Sequence, residues 1–168
     1  MLASDLVISK IGPESDVLLR NLFEHYCHDM SEWFDLDTEA DGSYSHDTAS
    51  IWAKGCDAWL AKIGTSIAGF VLIGSGAGWL GDIGAQDVHE FFVMRRFRRV
   101  GVGRKMATLI WNEHPGEWLV RVLEANAPAV LFWRKAISAY SLGSCREEQR
   151  LIDGQPWRFF RFVSNPRK

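Results

Sequence analysis

Between Val88 and Asn112 the chain changes its hydrophobic period at a pair of glycines. VHEFFV (88–93) is a short run of β-branched and aromatic residues, the composition of a central strand. From Val102 onward, Val102, Met106, Leu109 and Ile110 recur at three-and-four spacing, which predicts a helix that His114-Pro115-Gly116 ends. Between them stands RRFRRVGVGRK (95–105), with six cationic side chains around Gly101 and Gly103. A strand passing through a glycine turn into a helix points to an α/β layer. It also leaves unpaired N–H groups and a partial positive potential at the helix start, where a phosphate binds well.

The rest of the chain supplies compatible elements. Leu6–Ile11 suits a first strand, and Leu19, Leu22, Phe23, Tyr26 and Met30 form the apolar stripe of a helix. Residues 35–47 read as a long loop or irregular helix. Cys56–Ile63 and Ile67–Ile73 flank Gly64-Thr65 as an antiparallel hairpin, and a glycine-rich turn from Gly74 to Gly84 follows. Trp118–Leu123 supplies a strand, Asn126 caps a helix running to about Ile137, and two last strands flank Asp153-Gly154. The expected fold is a mixed α/β layer in the order β, α, β, β, β, α, β, α, β, β, formed as one domain over residues 1–168.

Composition narrows the function. The net charge of −2 and a pI near 6.2 argue against a nucleic-acid arm, because dedicated nucleic-acid domains are basic, typically with a pI above about 9. Cys27, Cys56 and Cys145 show no CxxC spacing, and with no signal-like or membrane-spanning run they suggest a cytoplasmic protein away from membranes. His25, Cys27 and His28 lack a second ligand pair, so no metal is expected. The glycine turn matches neither GxxxxGK[ST] nor the three-glycine dinucleotide fingerprint, which disfavours a P-loop nucleotidase and a NAD site.

Val93 followed by Arg98-Arg99-Val100-Gly101-Val102-Gly103, with Glu90 three residues before the valine, resembles the central [QR]xxGxG motif of the GNAT superfamily of acyl-CoA-dependent N-acyltransferases. NAPAVLFW (126–133) resembles that family's second motif, NxxAxxFY, and one helix and one strand intervene, so the likeness spans roughly Val88 to Ile137. The resemblance implies a mixed, mostly antiparallel central sheet flanked by helices, whose splayed central strands leave a V-shaped cleft for acetyl-CoA as acyl-donor cosubstrate. It implies that backbone amides around Val93, Met94 and Arg95, with Phe92 beside them, meet the pantetheine and the thioester carbonyl. It implies too that the amides from Arg99 through Val100, Gly101, Val102 and Gly103 to Arg104 cradle the pyrophosphate, with Arg98 adding charge. Asn126 either meets the pantetheine arm or only caps its helix. The resemblance further implies that Phe132 and Trp133 pack beside the cofactor.

Amide formation needs a neutral amine, so a group must accept a proton. Glu90 is the candidate base, and its alternative role is a structural carboxylate paired with an arginine on a neighbouring strand. Trp133 stands where the family's usual acid, a tyrosine, is expected, and an indole gives up no proton. Tyr140 is the catalytic candidate in its place, with Cys145 and solvent as alternatives. The acceptor side has its own signal: Glu24, Asp29, Glu32, Asp35, Asp37, Glu39, Asp41 and Asp47 lie between Asn21 and Ala53 with no lysine or arginine. That acidity is either a solvated surface or a rim that gathers a cationic amine such as a polyamine, an aminoglycoside or a protein amine. Trp33 and Trp52 line an acceptor pocket or pack in the core.

The leading expectation is an N-acetyltransferase passing an acetyl group from acetyl-CoA to a primary amine of a small molecule or protein in a ternary complex. The alternatives are a CoA-binding sensor without turnover and nucleic-acid binding through the arginines. The sequence leaves monomer and homodimer open.

Overall fold

A computed structural model describes residues 5–76, 78 and 84–166. Most of the glycine-rich turn expected from Gly74 to Gly84, Trp79 included, lies outside the described residues. The elements are β1 (Leu6–Ile11), α1 (Asp16–Met30), α2 (Thr48–Ala53), β2 (Asp57–Ile63), β3 (Ser66–Ser75), β4 (Gln86–Val93), α3 (Val102–Glu113), β5 (Gly116–Leu123), α4 (Ala127–Tyr140), β6 (Cys145–Ile152) and β7 (Gln155–Ser164). The expected order is observed with one addition, α2. This helix is short and lacks the long periodic stripe that would announce it. Local chemistry starts it, because the Asp47 carboxylate accepts the Ser50 N–H at 3.1 Å.

The seven strands form one mixed sheet in the order β1-β2-β3-β4-β5-β7-β6. Every neighbouring pair is antiparallel except β4 with β5. Both faces of the sheet are covered. On one, Leu19, Leu22 and Phe23 of α1 pack on Ala58, Leu60, Phe70 and Leu72. On the other, Met106, Ile110 and Trp111 of α3 and Val130, Trp133 and Ile137 of α4 meet Val71, Val120, Phe160 and Phe162. Each fully buried side chain of this size stabilises by about 1.5–3 kcal/mol, so both layers are needed to hold the sheet.

The feature that shapes the site is a bulge in β4. Leu72 of β3 stands opposite Glu90, but the next residue, Ile73, stands opposite Val88, so His89 is the extra residue. An extra residue in a strand of period two swaps its faces. Val88 accordingly belongs to the α3/α4 layer, and after the bulge Phe91 and Val93 take that side while Phe92 joins the layer under α1. The sheet also opens at this point. The rungs between β4 and β5 run only from Gln86↔Trp118 to Val88↔Val120, and beyond them the two strands continue without pairing.

An ion pair closes the base of that opening. Asp87, with no solvent exposure, receives Arg121 of β5 in a fork, Nε at 3.1 and 3.0 Å and Nη2 at 2.6 Å. His89 Nε2 lies 3.3 Å from the same carboxylate. Removing one partner of such a pair leaves a buried uncompensated charge and typically costs about 3–5 kcal/mol. Asp87→Ala is therefore expected to lower unfolding free energy by about that amount in urea titrations, and Asp87→Ala/Arg121→Ala to lose clearly less than the sum of the two single changes.

Candidate functional site

Where β4 and β5 part, a recess of about 490 Å³ opens between them. Its walls come from Tyr26 of α1, Glu90 and Phe91 of β4, Arg121 of β5, and Asn126 and Trp133 at the α4 side. A larger hollow of about 570 Å³, near Tyr140, Leu142 and Arg161, lies elsewhere, beside the β5–β7 edge. The chemistry points to the first, because the face swap at His89 turns Glu90 into it.

Glu90 is half-buried and accepts a short hydrogen bond from the Tyr26 hydroxyl. Burial pushes its carboxyl up from the usual carboxylate range to about 7, against the opposing influence of the Tyr26 hydrogen bond and of Arg121. Tyr26 moves the other way from ionisation: burial and then the Glu90 charge raise its phenol well above its ordinary value, so it stays a donor. The structural alternative for Glu90, pairing with an arginine on the next strand, is taken by Asp87 instead. Tyr26 is the site residue that sequence reasoning assigned to the apolar stripe of α1. Its signal was available only as a hydroxyl at the last turn of that stripe.

The open edge of β4 presents backbone donors. Met94 N–H bonds Ala68 O of β3 at 2.9 Å, so Met94 belongs to the paired side. Amides alternate along an antiparallel strand, which turns those of Phe91 and Val93 toward the gap where β5 has left. This corrects the expectation that Met94's amide faces the cofactor. Phe92 is corrected likewise: its ring is buried among Phe23, Phe70 and Tyr26, on the opposite side of the strand from Phe91 and Val93.

The turn into α3 leaves backbone N–H groups that could hold an anion. Arg99 and Gly101 have positive φ values of 62° and 87°, and no side chain caps the helix start at Gly101. Val100, Gly101 and Arg104 are exposed, whereas the Val102 side chain is core, so only its backbone can reach a ligand. Gly103 has a different role from the one expected. A Cβ there would sit 3.2 Å from the Phe132 ring and 3.6 Å from Val93 Cγ2, so its bareness serves the packing of Phe132 between α3 and β4 rather than ligand approach.

Several expected roles are redistributed. Arg95 Nε and Nη2 bind Asp29 Oδ1 at 2.8 and 2.6 Å, and Arg98 bonds Asp29 Oδ2 while its Nε donates to Val93 O at 2.6 Å. These two arginines thus tie the turn into α3 to the end of α1. Asp29 leaves the acidic rim with them, Glu24 accepts Tyr44 N–H and contacts His46, and Asp41 and Asp47 organise turns. Asn126 accepts the Ala129 N–H at 3.1 Å as a helix cap and also lines the recess. Trp133 is core, packed on Phe91, Phe132 and Trp111. Tyr140 is not brought to Glu90: its hydroxyl lies 2.8 Å from both Asn112 Oδ1 and Ser164 Oγ, one helix length from the α4 cap, and Cys145 starts the strand beyond it. Trp52 donates to Asp16 and Trp33 follows α1 outside the recess lining. Among the described residues, no three metal-ligating side chains gather, and no helix is long and apolar enough to cross a membrane.

No family model and no curated protein matches the sequence. Solved structures do match in shape. Spermidine N-acetyltransferase of Vibrio cholerae, solved with CoA and spermine, superposes with a TM-score of 0.66 at 13% identity over 96% of each chain. YncA of Salmonella typhimurium, solved with acetyl-CoA, gives 0.63 at 12% identity, covering 97% of this chain and 96% of its own. A GNAT-family acetyltransferase of Bacillus cereus gives 0.62 at 12% identity over 96% and 99%. The chain has the GNAT acetyltransferase fold.

Glu90 also has a signature in stability. Its native pKa of about 7 exceeds the ordinary 4.5, so its contribution to stability is fully present below the unfolded value and is lost as pH rises through 7. Relative to Glu90→Gln, the wild-type protein is expected to lose up to about 3 kcal/mol between pH 4 and pH 8 in denaturant titrations, 1.36 kcal/mol corresponding to one unit.

Proposed function

We propose that this chain is an acetyl-CoA-dependent N-acetyltransferase that works as one domain over residues 1–168, in the cytoplasm, and passes the acetyl group directly to a primary amine. The observation that carries the reading is Glu90, a carboxyl with a pKa near neutrality, at the mouth of a gap whose β4 edge offers unpaired amides. The residues present fit the donor: the Phe91 and Val93 amides suit a pantetheine arm, and the turn from Arg99 to Arg104 suits a pyrophosphate. When bound, acetyl-CoA supplies an electrophilic thioester carbonyl.

Glu90 is half ionised near pH 7 and accepts the proton that the amine must shed. Tyr26 holds one carboxylate oxygen and so fixes the Glu90 carboxyl in the recess lining. The Val93 N–H is the donor available to a carbonyl oxygen lying along the β4 edge. With Tyr140 remote and the Tyr26 proton held by Glu90, solvent is the acid for the departing thiolate. Trp133 at the usual tyrosine position favours a second reading, a CoA-binding module without turnover. Tight acetyl-CoA binding without amine-dependent release of free thiol would support it.

Calorimetry with acetyl-CoA tests the donor site: micromolar binding is expected, and Gly103→Leu, which displaces Phe132, should weaken it at least tenfold. No heat at millimolar acetyl-CoA would overturn the assignment. In thiol-release assays, kcat/KM is expected to rise with pH through an apparent pKa near 7, and Glu90→Gln should lose at least a hundredfold. Tyr26→Phe removes a hydrogen bond that lowers the Glu90 pKa, so the ascending limb should move to higher pH.

A further inference from the structure

Resting on the acetyltransferase reading, we infer that the acceptor is a monoamine carried on an aromatic or branched apolar body, not a polyamine. The lining that Glu90 and Tyr26 share includes Met30 at the end of α1, Phe34 and Leu36 in the following loop, and Trp157 of β7. Phe34 and Trp157 stand with ring centroids 6.0 Å apart at 43°, so an apolar body entering there meets two aromatic surfaces. Leu36, 39% exposed, is a large apolar side chain kept at the entrance.

The charge distribution agrees. Among the described residues lining the recess, Glu90 is the one carboxylate, which matches one ammonium, and the basic side chains there are Arg121 and His89. A second ammonium of a polyamine would be desolvated among Met30, Phe34 and Trp157 without a carboxylate partner. Four of the eight acids that suggested a polyamine are engaged elsewhere, Asp29 with Arg95 and Arg98, Glu24 with His46 and the Tyr44 amide, Asp41 with Ser43 and Asp47 with the α2 start, and Glu32 and Glu39 are exposed on the surface. Asp35 and Asp37, on either side of Leu36, are exposed, where ion pairs are weak and salt-screened.

The test compares 2-phenylethylamine with spermidine at physiological ionic strength, by calorimetry in the presence of CoA and by acetyl-transfer assay. The expected result is at least tenfold tighter binding and at least tenfold higher kcat/KM for 2-phenylethylamine. Leu36→Asp, a change at an exposed loop position, should narrow the binding gap at least fivefold in favour of spermidine. Equal affinities, or a preference for spermidine, would overturn the inference. If the binding order holds but neither amine is acetylated, the recess specificity stands and the transfer reading fails, so the two are separable.

Discussion

The fork between Asp87 and Arg121 fixes where the sheet stops being continuous. Below it, β4 and β5 share three rungs, and above it β4 carries one residue too many. The excess residue, His89, both ends the pairing and exchanges the faces of the strand. One local irregularity therefore creates the gap, exposes backbone donors along its edge and places a carboxylate at its mouth. A regular strand with the same sequence would put Glu90 among the aromatic side chains of the α3/α4 layer, where an ionised carboxylate has no partner. Lateral charge pairing in the crotch supplies the rigidity that the missing rungs do not.

Much of this architecture was legible in the sequence. Periodicity gave α1 and α3, because each buries a stripe of apolar residues, the Asn126 cap marked α4, and the strand runs were recognisable from β-branched and aromatic content. The glycine turn before α3 and the asparagine before α4 stand out because backbone geometry demands specific residue types there. The bulge did not show, since a single extra residue in VHEFFV leaves composition unchanged and alters only register. Helix α2 escaped because six residues held by an aspartate cap are too few to display a period.

The site was legible in part. Glu90 could be named because it occupies a strand fixed by its motif, but its partner could not, since Tyr26 lies 64 residues earlier and reads as one more member of an apolar stripe. The arginine cluster and the acidic segment each looked like a free electrostatic surface. In the folded chain Arg95 and Arg98 both pair with Asp29, which no count of charges along the sequence reveals. Tyr140 failed for a geometric reason: it sits at the opposite end of α4 from Asn126, so a residue close in sequence to the motif is remote from the gap.

The clasp of Asp29 by Arg95 and Arg98 has a thermodynamic consequence. It joins the end of α1, which lines the recess, to the turn into α3. Any anion that draws Arg98 toward itself competes with Asp29 and loosens the last turn of α1. Linkage makes the exchange reciprocal: whatever steadies α1 strengthens the clasp and withholds Arg98 from the anion. The turn into α3 and the last turn of α1 thus share one guanidinium, and whatever binds at one is energetically coupled to the other through it.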